Sequence, residues 1–169
     1  YLKTIYSLSY GTSEFVSTND IAFRLNTKAS SATDMIKKLD KMGWVIYKKY
    51  HGVSLTPEGK KIALDIIRRH RIWEVFLSEK LGFAWNEVHD LAEELEHIKS
   101  NELISRLEVF LHYPKFDPHG DPIPDAVERI PKQAISKSLD HFASGEKVKI
   151  ISVDDSSSSM LVHLKKNKI

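Results

Sequence analysis

Cysteine is absent from the 169 residues of this sequence. Its absence excludes disulfide bonds and thiolate metal ligands. No run of eighteen apolar residues occurs either, so we expect no membrane-spanning helix and no membrane partner. Because no signal peptide is visible and no cysteine is present, we expect a cytoplasmic location.

Charge is unevenly distributed along the chain. Residues 1–70 contain twelve Lys and Arg against six Asp and Glu, whereas the remainder contains thirteen against seventeen. Such asymmetry is typical of a protein whose first part meets phosphates and whose second part binds cations. The hydrophobic content of 41% is sufficient for a buried core.

Apolar residues at helical spacing predict three helices near the N-terminus, at residues 1–10, 21–25 and 29–42. Helix, short turn, helix is the arrangement of a DNA-reading motif. The third helix has exposed side chains of the types that contact phosphates or base edges, namely Ser30, Ser31, Thr33, Asp34, Lys37 and Lys38. An ordinary solvated helix face is the alternative for these residues.

Two β-type runs, residues 44–50 and 53–56, are joined by His51-Gly52 and predict a hairpin that forms the wing of a winged helix. Near its tip lie three candidates for contacts to phosphates or to a minor groove: Lys48, Lys49 and His51. Thr56-Pro-Glu-Gly59 has the signature of a helix start, and the helix is predicted to continue to His70.

Imidazole and carboxylate side chains are concentrated from residue 70 to residue 97. His70 and Glu74 are four residues apart, as are His89 and Glu93, so each pair shares one face of a helix. Nitrogen and oxygen donors without sulfur suit divalent ions such as Mn²⁺, Fe²⁺, Co²⁺ or Zn²⁺.

Two facing helices with these donors have room for two metal sites. We predict that one consists of His70, Glu74 and His89, and the other of Glu93, Glu96 and His97. A solvated glutamate-rich helix face with charge pairs is the alternative.

The remaining segments predict a dimer surface, a loop and a strand. Residues 101–111 carry a broad apolar stripe, which we expect to contact a second copy of the chain; burial within one subunit is the alternative. Four prolines exclude regular structure in residues 113–124, where we expect Asp117 and His119 to be surface residues. Residues 146–153 predict a β-strand.

The metal-donor pattern is similar to that of a known family. Arg69-His70-Arg71, Val88-His89-Asp90 and Glu93-x-x-Glu96-His97 resemble the diphtheria toxin repressor family of metal-dependent transcriptional regulators, which includes the manganese transport regulators. Further segments of the family pattern occur in the same order: Tyr1–Tyr6, Leu39–Trp44, Leu55–Lys60 and Gly120–Pro124.

The resemblance implies a mainly α-helical chain with four parts. These are a winged helix-turn-helix DNA-binding domain at 1–62, a helical metal-binding and dimerisation domain at 63–125, a linker at 126–138, and a partial SH3-like segment at 139–169. The helix at 29–42 would be the recognition helix.

The function implied by the resemblance is that of a repressor, not an enzyme. The homodimer would bind double-stranded operator DNA when loaded with Mn²⁺ or Fe²⁺ and would control metal-uptake genes, without a small-molecule substrate. The diphtheria-type members have a cysteine at the position of Glu93, so a carboxylate there favours Mn²⁺, with Fe²⁺ second. His89 argues against a manganese-type site, because the manganese-type site typically lacks this histidine. The family takes a further ligand from a position just before Tyr1.

Two other functions are alternatives. A metal-independent winged-helix regulator would account for residues 1–62 equally well, but not for the spacing of the metal donors. A di-metal carboxylate enzyme would use Glu94-x-x-His97, yet such sites need two motifs of this kind and the sequence contains one.

Overall fold

The computed structural model describes residues 1–10, 15–132, 136–153 and 158–167. The chain forms two compact units, Tyr1–Ile66 and Ile67–Ile169, and the division between them falls within one long helix. None of the described helices has the length and apolarity needed to cross a membrane.

The first unit is a winged helix-turn-helix, as predicted. Its elements are α1 (Leu2–Ser9), α2 (Thr18–Arg24), α3 (Ala29–Lys41), β1 (Val45–Lys48), β2 (Gly52–Leu55) and the beginning of α4 (Pro57–Leu81). Ser17 caps α2 by accepting a hydrogen bond from the Asn19 backbone N–H at 3.1 Å. Gly43 follows α3 with a φ of +75°, a conformation that suits glycine and ends the helix.

The wing differs from the prediction in its turn. β1 and β2 are antiparallel with Val45 opposite Leu55 and Lys48 opposite Gly52, so Gly52 belongs to the second strand and not to the turn. Glycine is required at this position because of a close backbone approach. A Cβ atom on Gly52 would lie 2.4 Å from the carbonyl oxygen of Val16, which pairs with Val53 beside the hairpin.

The core of the first unit joins all of its elements. It contains Leu2, Ile5, Val16, Ile21, Ile36, Leu39, Val45, Val53 and Ala63. Thr56 caps α4, since its Oγ1 accepts from the Gly59 backbone N–H at 3.0 Å. Gly59 also lets α4 approach the Trp44 carbonyl, which would lie 1.8 Å from an added Cβ atom.

The second unit consists of the remainder of α4, α5 (Val88–Leu95), α6 (Asn101–Phe110), a short 3₁₀ turn at Leu139–His141 and α7 (Ser158–Lys166). α5 ends one residue before Glu96, earlier than the donor spacing suggested. The core between these helices contains Ile72, Trp73, Val75, Ala92, Ile104, Leu107, Leu111 and Ile123.

The C-terminal segment does not contain the strand predicted at 146–153. A strand needs a partner of comparable length, and the contact here is with a loop: the Val153 N–H donates to the His119 carbonyl at 2.9 Å. Gly120 packs so closely that an added Cβ would lie 2.0 Å from the Ile151 carbonyl oxygen. Residues 154–157, part of the expected SH3-like segment, lie outside the described residues, and that segment stays a prediction.

Candidate metal centre and nucleic-acid surface

Four consecutive residues of α4, at positions 68–71, bind other segments of the second unit through hydrogen bonds and ion pairs of their side chains. Successive helical residues are rotated by about 100°, so neighbours point in different directions. Arg68 forms a two-pronged ion pair with Glu108 of α6, with Nε to Oε1 at 2.9 Å. The next arginine, Arg69, donates from Nη1 to the Ile98 carbonyl at 2.8 Å.

His70 lies between these arginines and Arg71, and is 4% exposed. Its Nδ1 is 2.8 Å from Oε2 of Glu96, and its Nε2 is 3.0 Å from Oε1 of Glu74. Nδ1 of His89 is 3.4 Å from the same Glu74 oxygen, and its Nε2 is 3.9 Å from Glu93. The predicted group of His70, Glu74 and His89 is therefore brought together.

Asp117 and His119 extend this centre, although the sequence led us to expect both at the surface. That expectation was wrong, because they are 7% and 3% exposed. Nδ1 of His119 lies 3.6 Å from Oε1 of Glu74. The loop turns inward because Asp117 Oδ1 accepts from the backbone N–H groups of His119 and Asp121, both at 2.9 Å. The sequence signal was Asp-x-x-Gly, a turn in which Gly120 adopts a φ of +87°.

Arg71 holds the same loop against α4. Its Nη1 donates to the Pro122 carbonyl at 2.6 Å and its Nη2 to Oδ2 of Asp121 at 2.9 Å. Its Nε lies 3.3 Å from Oδ2 of Asp117. Arg71 therefore balances part of the negative charge of the loop.

The buried carboxylates have opposite pKa shifts. Burial alone would raise the pKa of Glu74, but three imidazoles outweigh burial and hold its pKa well below the ordinary value; they belong to His119, His70 and His89. Burial raises the pKa of Asp117 to about 7, and the nearby charge of Glu74 adds to the rise. A divalent cation would relieve the repulsion between these two carboxylates.

Among the described residues, the donors form three groups whose ligand atoms lie within 4.8 Å of one another. The Glu74 cluster is His70, Glu74 and His89; the Glu96 cluster is His70, Glu93 and Glu96; the loop cluster is Glu74, Asp117 and His119. Glu93 and Glu96 are thus grouped with His70. The sequence had suggested that they would be grouped with His97, and this is not what the structure has. His97 follows the end of α5, is exposed and belongs to none of the three groups.

Two observations show that these residues fit a cation. Oε2 of Glu74 is buried and accepts no hydrogen bond from the described residues. Nε2 of His119 faces the Trp85 carbonyl at 2.8 Å, so this nitrogen carries a hydrogen, and Nδ1 of the same ring lies 3.6 Å from Oε1 of Glu74. A cation or a proton between this nitrogen and the carboxylate would stabilise the pair in its buried place.

The predicted DNA contacts lie on the surface of the first unit. Nearly all are exposed: Ser30, Ser31, Asp34, Lys37, Lys38, Lys48, Lys49 and His51. Thr33 is half-buried and donates to the Ala29 carbonyl at 2.8 Å, within its own helix. Asp34 forms an exposed ion pair with Lys37 at 3.8 Å. Lysines therefore lie on both the third helix and the wing, as a DNA-binding surface requires.

Family models match both units of the chain. Residues 1–53 match the iron dependent repressor N-terminal DNA binding domain, and residues 56–125 match the iron dependent repressor metal binding and dimerisation domain. Together the two matches span the third helix, the wing as far as Val53 and all of the metal-donor groups.

Individual relatives agree with these matches. An HTH-type transcriptional regulator, MntR, of Listeria welshimeri is 34% identical over 137 residues, which is 81% of this chain and 91% of the relative. A probable metal transport system membrane protein of Chlamydia trachomatis is 46% identical over 74 residues, which is 44% of this chain but 16% of that protein.

A solved structure has the same fold along the whole chain. It is a manganese-dependent transcriptional repressor in complex with manganese, with a TM-score of 0.89 and 37% identity; the match covers 100% of this chain and 77% of the other. The two family models and this solved structure are those of repressors, not of enzymes. The chain therefore belongs to the iron-dependent repressor family.

Proposed function

We propose that this protein is a homodimeric transcriptional repressor that binds double-stranded operator DNA when it is loaded with Mn²⁺ or Fe²⁺. The observation that carries the proposal is the buried donor centre around His70 and Glu74, in a chain whose first unit has an exposed lysine-bearing recognition helix.

The donor chemistry supports Mn²⁺ or Fe²⁺ as the ion. Every candidate ligand is an imidazole nitrogen or a carboxylate oxygen, and such sets suit harder divalent ions, whereas thiolates select softer ones. The residues that would hold it are His70, Glu74, His89, Glu93, Glu96, Asp117 and His119, while His97 stays a prediction. The bound ion would supply positive charge that offsets the repulsion among these carboxylates.

The DNA-binding residues follow from position and chemistry. The lysines at 37 and 38, with those at 48 and 49, would neutralise phosphates, while Ser30 and Ser31, near the start of the third helix, would reach base edges or phosphates. Thr33 is a weaker candidate, because its hydroxyl already donates within the helix.

Helix α6 offers the surface for dimerisation. Ile104 and Leu107 face the core, but Leu103, Val109 and Phe110 on the same helix are exposed. We propose that this exposed part of the apolar stripe contacts a second copy of the chain. A dimer would place two recognition helices on two half-sites of one operator.

The relationship to a metal transport protein bears on which genes are controlled. A segment similar to this chain forms part of a membrane protein assigned to metal transport in Chlamydia trachomatis. We propose that the repressor controls metal-uptake genes, and that it acts in the cytoplasm, where the DNA is.

The test is DNA binding by fluorescence anisotropy with a duplex from the protein's own promoter region. Mn²⁺, Fe²⁺ under anaerobic conditions, Zn²⁺ or a chelator is added at constant salt, because phosphate contacts make affinity depend steeply on salt. We expect affinity to rise roughly 5- to 150-fold with Mn²⁺ or Fe²⁺, the usual range of allosteric coupling, and to fall with chelator. Equal binding in all conditions would instead identify a metal-independent regulator.

A further inference from the structure

Arg69 is a buried residue that is adjacent to His70 but belongs to none of the donor groups. It is 7% exposed. Its Nη1 donates to the Ile98 carbonyl at 2.8 Å, and its Nη2 donates to the side-chain oxygen of Asn101. Arginine is seldom buried unless its donors are used, so these bonds account for its position.

The two partners of Arg69 lie within the connection between α5 and α6 and at the end of that connection. Glu96 is the first residue after α5, Ile98 comes two residues later within the connection, and Asn101 is the first residue of α6. The carbonyl groups at the end of a helix have no partner within the helix. Arg69 therefore fixes the backbone where the chain leaves α5 and enters α6.

The side chain of Glu96 is held by His70, which follows Arg69 in α4. His70 Nδ1 lies 2.8 Å from Glu96 Oε2, so α4 holds the carboxylate through His70 and the backbone two residues later through Arg69. Because Arg69 and His70 are consecutive in a continuous helix, their spacing is fixed. Glu96 thus has a defined position relative to His70.

We propose that Arg69 is a positioning residue for metal binding, which places Glu96 in the Glu96 cluster. The inference rests on the proposed function, in that Glu96 binds the ion. Its hydrogen bonds to the Ile98 carbonyl and to Asn101 act on Glu96 through the backbone. Groups that orient metal ligands in this way typically change metal affinity by 10- to 100-fold when mutated.

The planar guanidinium explains why this residue is arginine. Two nitrogens of one rigid fork reach two acceptors at once, whereas a lysine ammonium is a single point of charge on a flexible stem. Arg69→Lys should therefore keep the charge and part of the anchoring, and lie between the parent protein and Arg69→Leu in metal affinity.

The neighbouring Arg68 provides a matched control. It is also buried, is one residue away in the same helix, and is bonded to Glu108 of α6 and not to the connection after Glu96. If Arg69 acted only through the general stability of the unit, Arg68→Leu would weaken metal binding to the same extent.

The experiment measures Mn²⁺ binding by isothermal titration calorimetry in two backgrounds of the full chain. Glu74→Gln removes the donor that the Glu74 cluster and the loop cluster share, so the isotherm reports the Glu96 cluster. Glu96→Gln instead removes a donor of the Glu96 cluster and leaves the other two clusters intact. In the Glu74→Gln background we expect Arg69→Leu to weaken Mn²⁺ binding roughly 10- to 100-fold and Arg68→Leu to leave it unchanged. In the Glu96→Gln background we expect Arg69→Leu to have no effect.

A spectroscopic readout complements the affinity. Co²⁺ bound in the Glu74→Gln background should show altered d–d absorption when Arg69 is replaced by Leu, because the ligand geometry at Glu96 changes. The Arg68→Leu variant should keep the spectrum of that background. If Arg69→Leu fails to fold, Arg69→Lys and Asn101→Ala, which remove less, are measured in its place and should weaken binding in the same direction.

The outcomes separate this inference from the proposed function. Unchanged Mn²⁺ affinity and Co²⁺ spectrum in the folded Arg69 and Asn101 variants would overturn it, as would an equal loss in Arg68→Leu. If the parent protein itself binds no Mn²⁺ or Co²⁺, this result contradicts the proposed function, and with it this inference.

Discussion

Nδ1 of His70 lies 2.8 Å from Oε2 of Glu96, while the other nitrogen of the same ring lies 3.0 Å from Glu74. A neutral imidazole has one nitrogen with a hydrogen and one with a lone pair. In its neutral form His70 can therefore offer its lone pair to only one of the two clusters that share it, while its N–H donates to a carboxylate of the other. Both carboxylates are linked through one ring, so a change at either should affect the other.

Replacement of Glu96 by glutamine should impair metal-dependent DNA binding. Glu96→Gln keeps the shape of the side chain but removes the charge that a cation needs, so we expect Mn²⁺ affinity to fall at least about 10-fold. Fluorescence anisotropy at a fixed Mn²⁺ concentration measures the consequence for DNA. Glu102→Gln, on the exposed face of α6, is the control and should bind as the parent does. Normal binding by Glu96→Gln would remove Glu96 from the centre.

Metal should stabilise the fold, and Glu74 should be required for this effect. An ion at 100 times its dissociation constant stabilises the native state by about 2.7 kcal/mol, which for a chain of this size corresponds to a rise in Tm of roughly 5 to 11 °C. Differential scanning calorimetry with Mn²⁺ and then with excess EDTA measures the rise and its reversal. In Glu74→Gln we expect most of the rise to disappear, and a full rise would contradict the assignment of Glu74.

The helical donors could be predicted from the sequence because their spacing has a fixed meaning. His70 and Glu74 are four apart within α4 and meet on one face, as expected. The grouping of Glu96 with His70 depends on where α5 ends and on how it packs against α4, which no local pattern specifies. Asp117 and His119 were missed because burial of an irregular loop depends on distant contacts, here those of Arg71 with the loop.

The ion pair between Arg68 and Glu108 should be important for stability. Both side chains are largely buried, at 10% and 16% exposure, and removal of one partner leaves the other charge buried and unpaired. We expect Glu108→Gln to lower the free energy of unfolding by about 3 kcal/mol, measured by urea denaturation. Its control is Glu102→Gln, whose exposed pair with Arg106 should contribute less than about 1 kcal/mol. Equal losses in the two variants would show that burial of the first pair is unimportant.

The contact between Gly120 and the C-terminal segment can be tested with a second glycine as control. Gly82 has a similar φ of +74° but open space around it, whereas a Cβ on Gly120 would collide with Ile151. Both alanine variants should lose about 1 to 2 kcal/mol from the left-handed backbone alone. Hydrogen exchange at the Val153 amide distinguishes them: we expect faster exchange in Gly120→Ala but not in Gly82→Ala. Equal protection in both would show that the segment does not depend on this contact.

Loss of a lysine from the recognition helix should change the salt dependence of DNA binding. Lys37 is exposed, and its only described ion pair is the weak one with Asp34, so it is available to a phosphate. Each lost phosphate contact lowers the slope of log affinity against log salt by about 0.9, and a dimer loses two contacts, so Lys37→Ala should lower the slope by about 1.8. Anisotropy titrations at several salt concentrations measure it, with the exposed Lys132→Ala as control. A decrease of about 0.9 would indicate that only one recognition helix is engaged, and no decrease would remove Lys37 from the DNA surface.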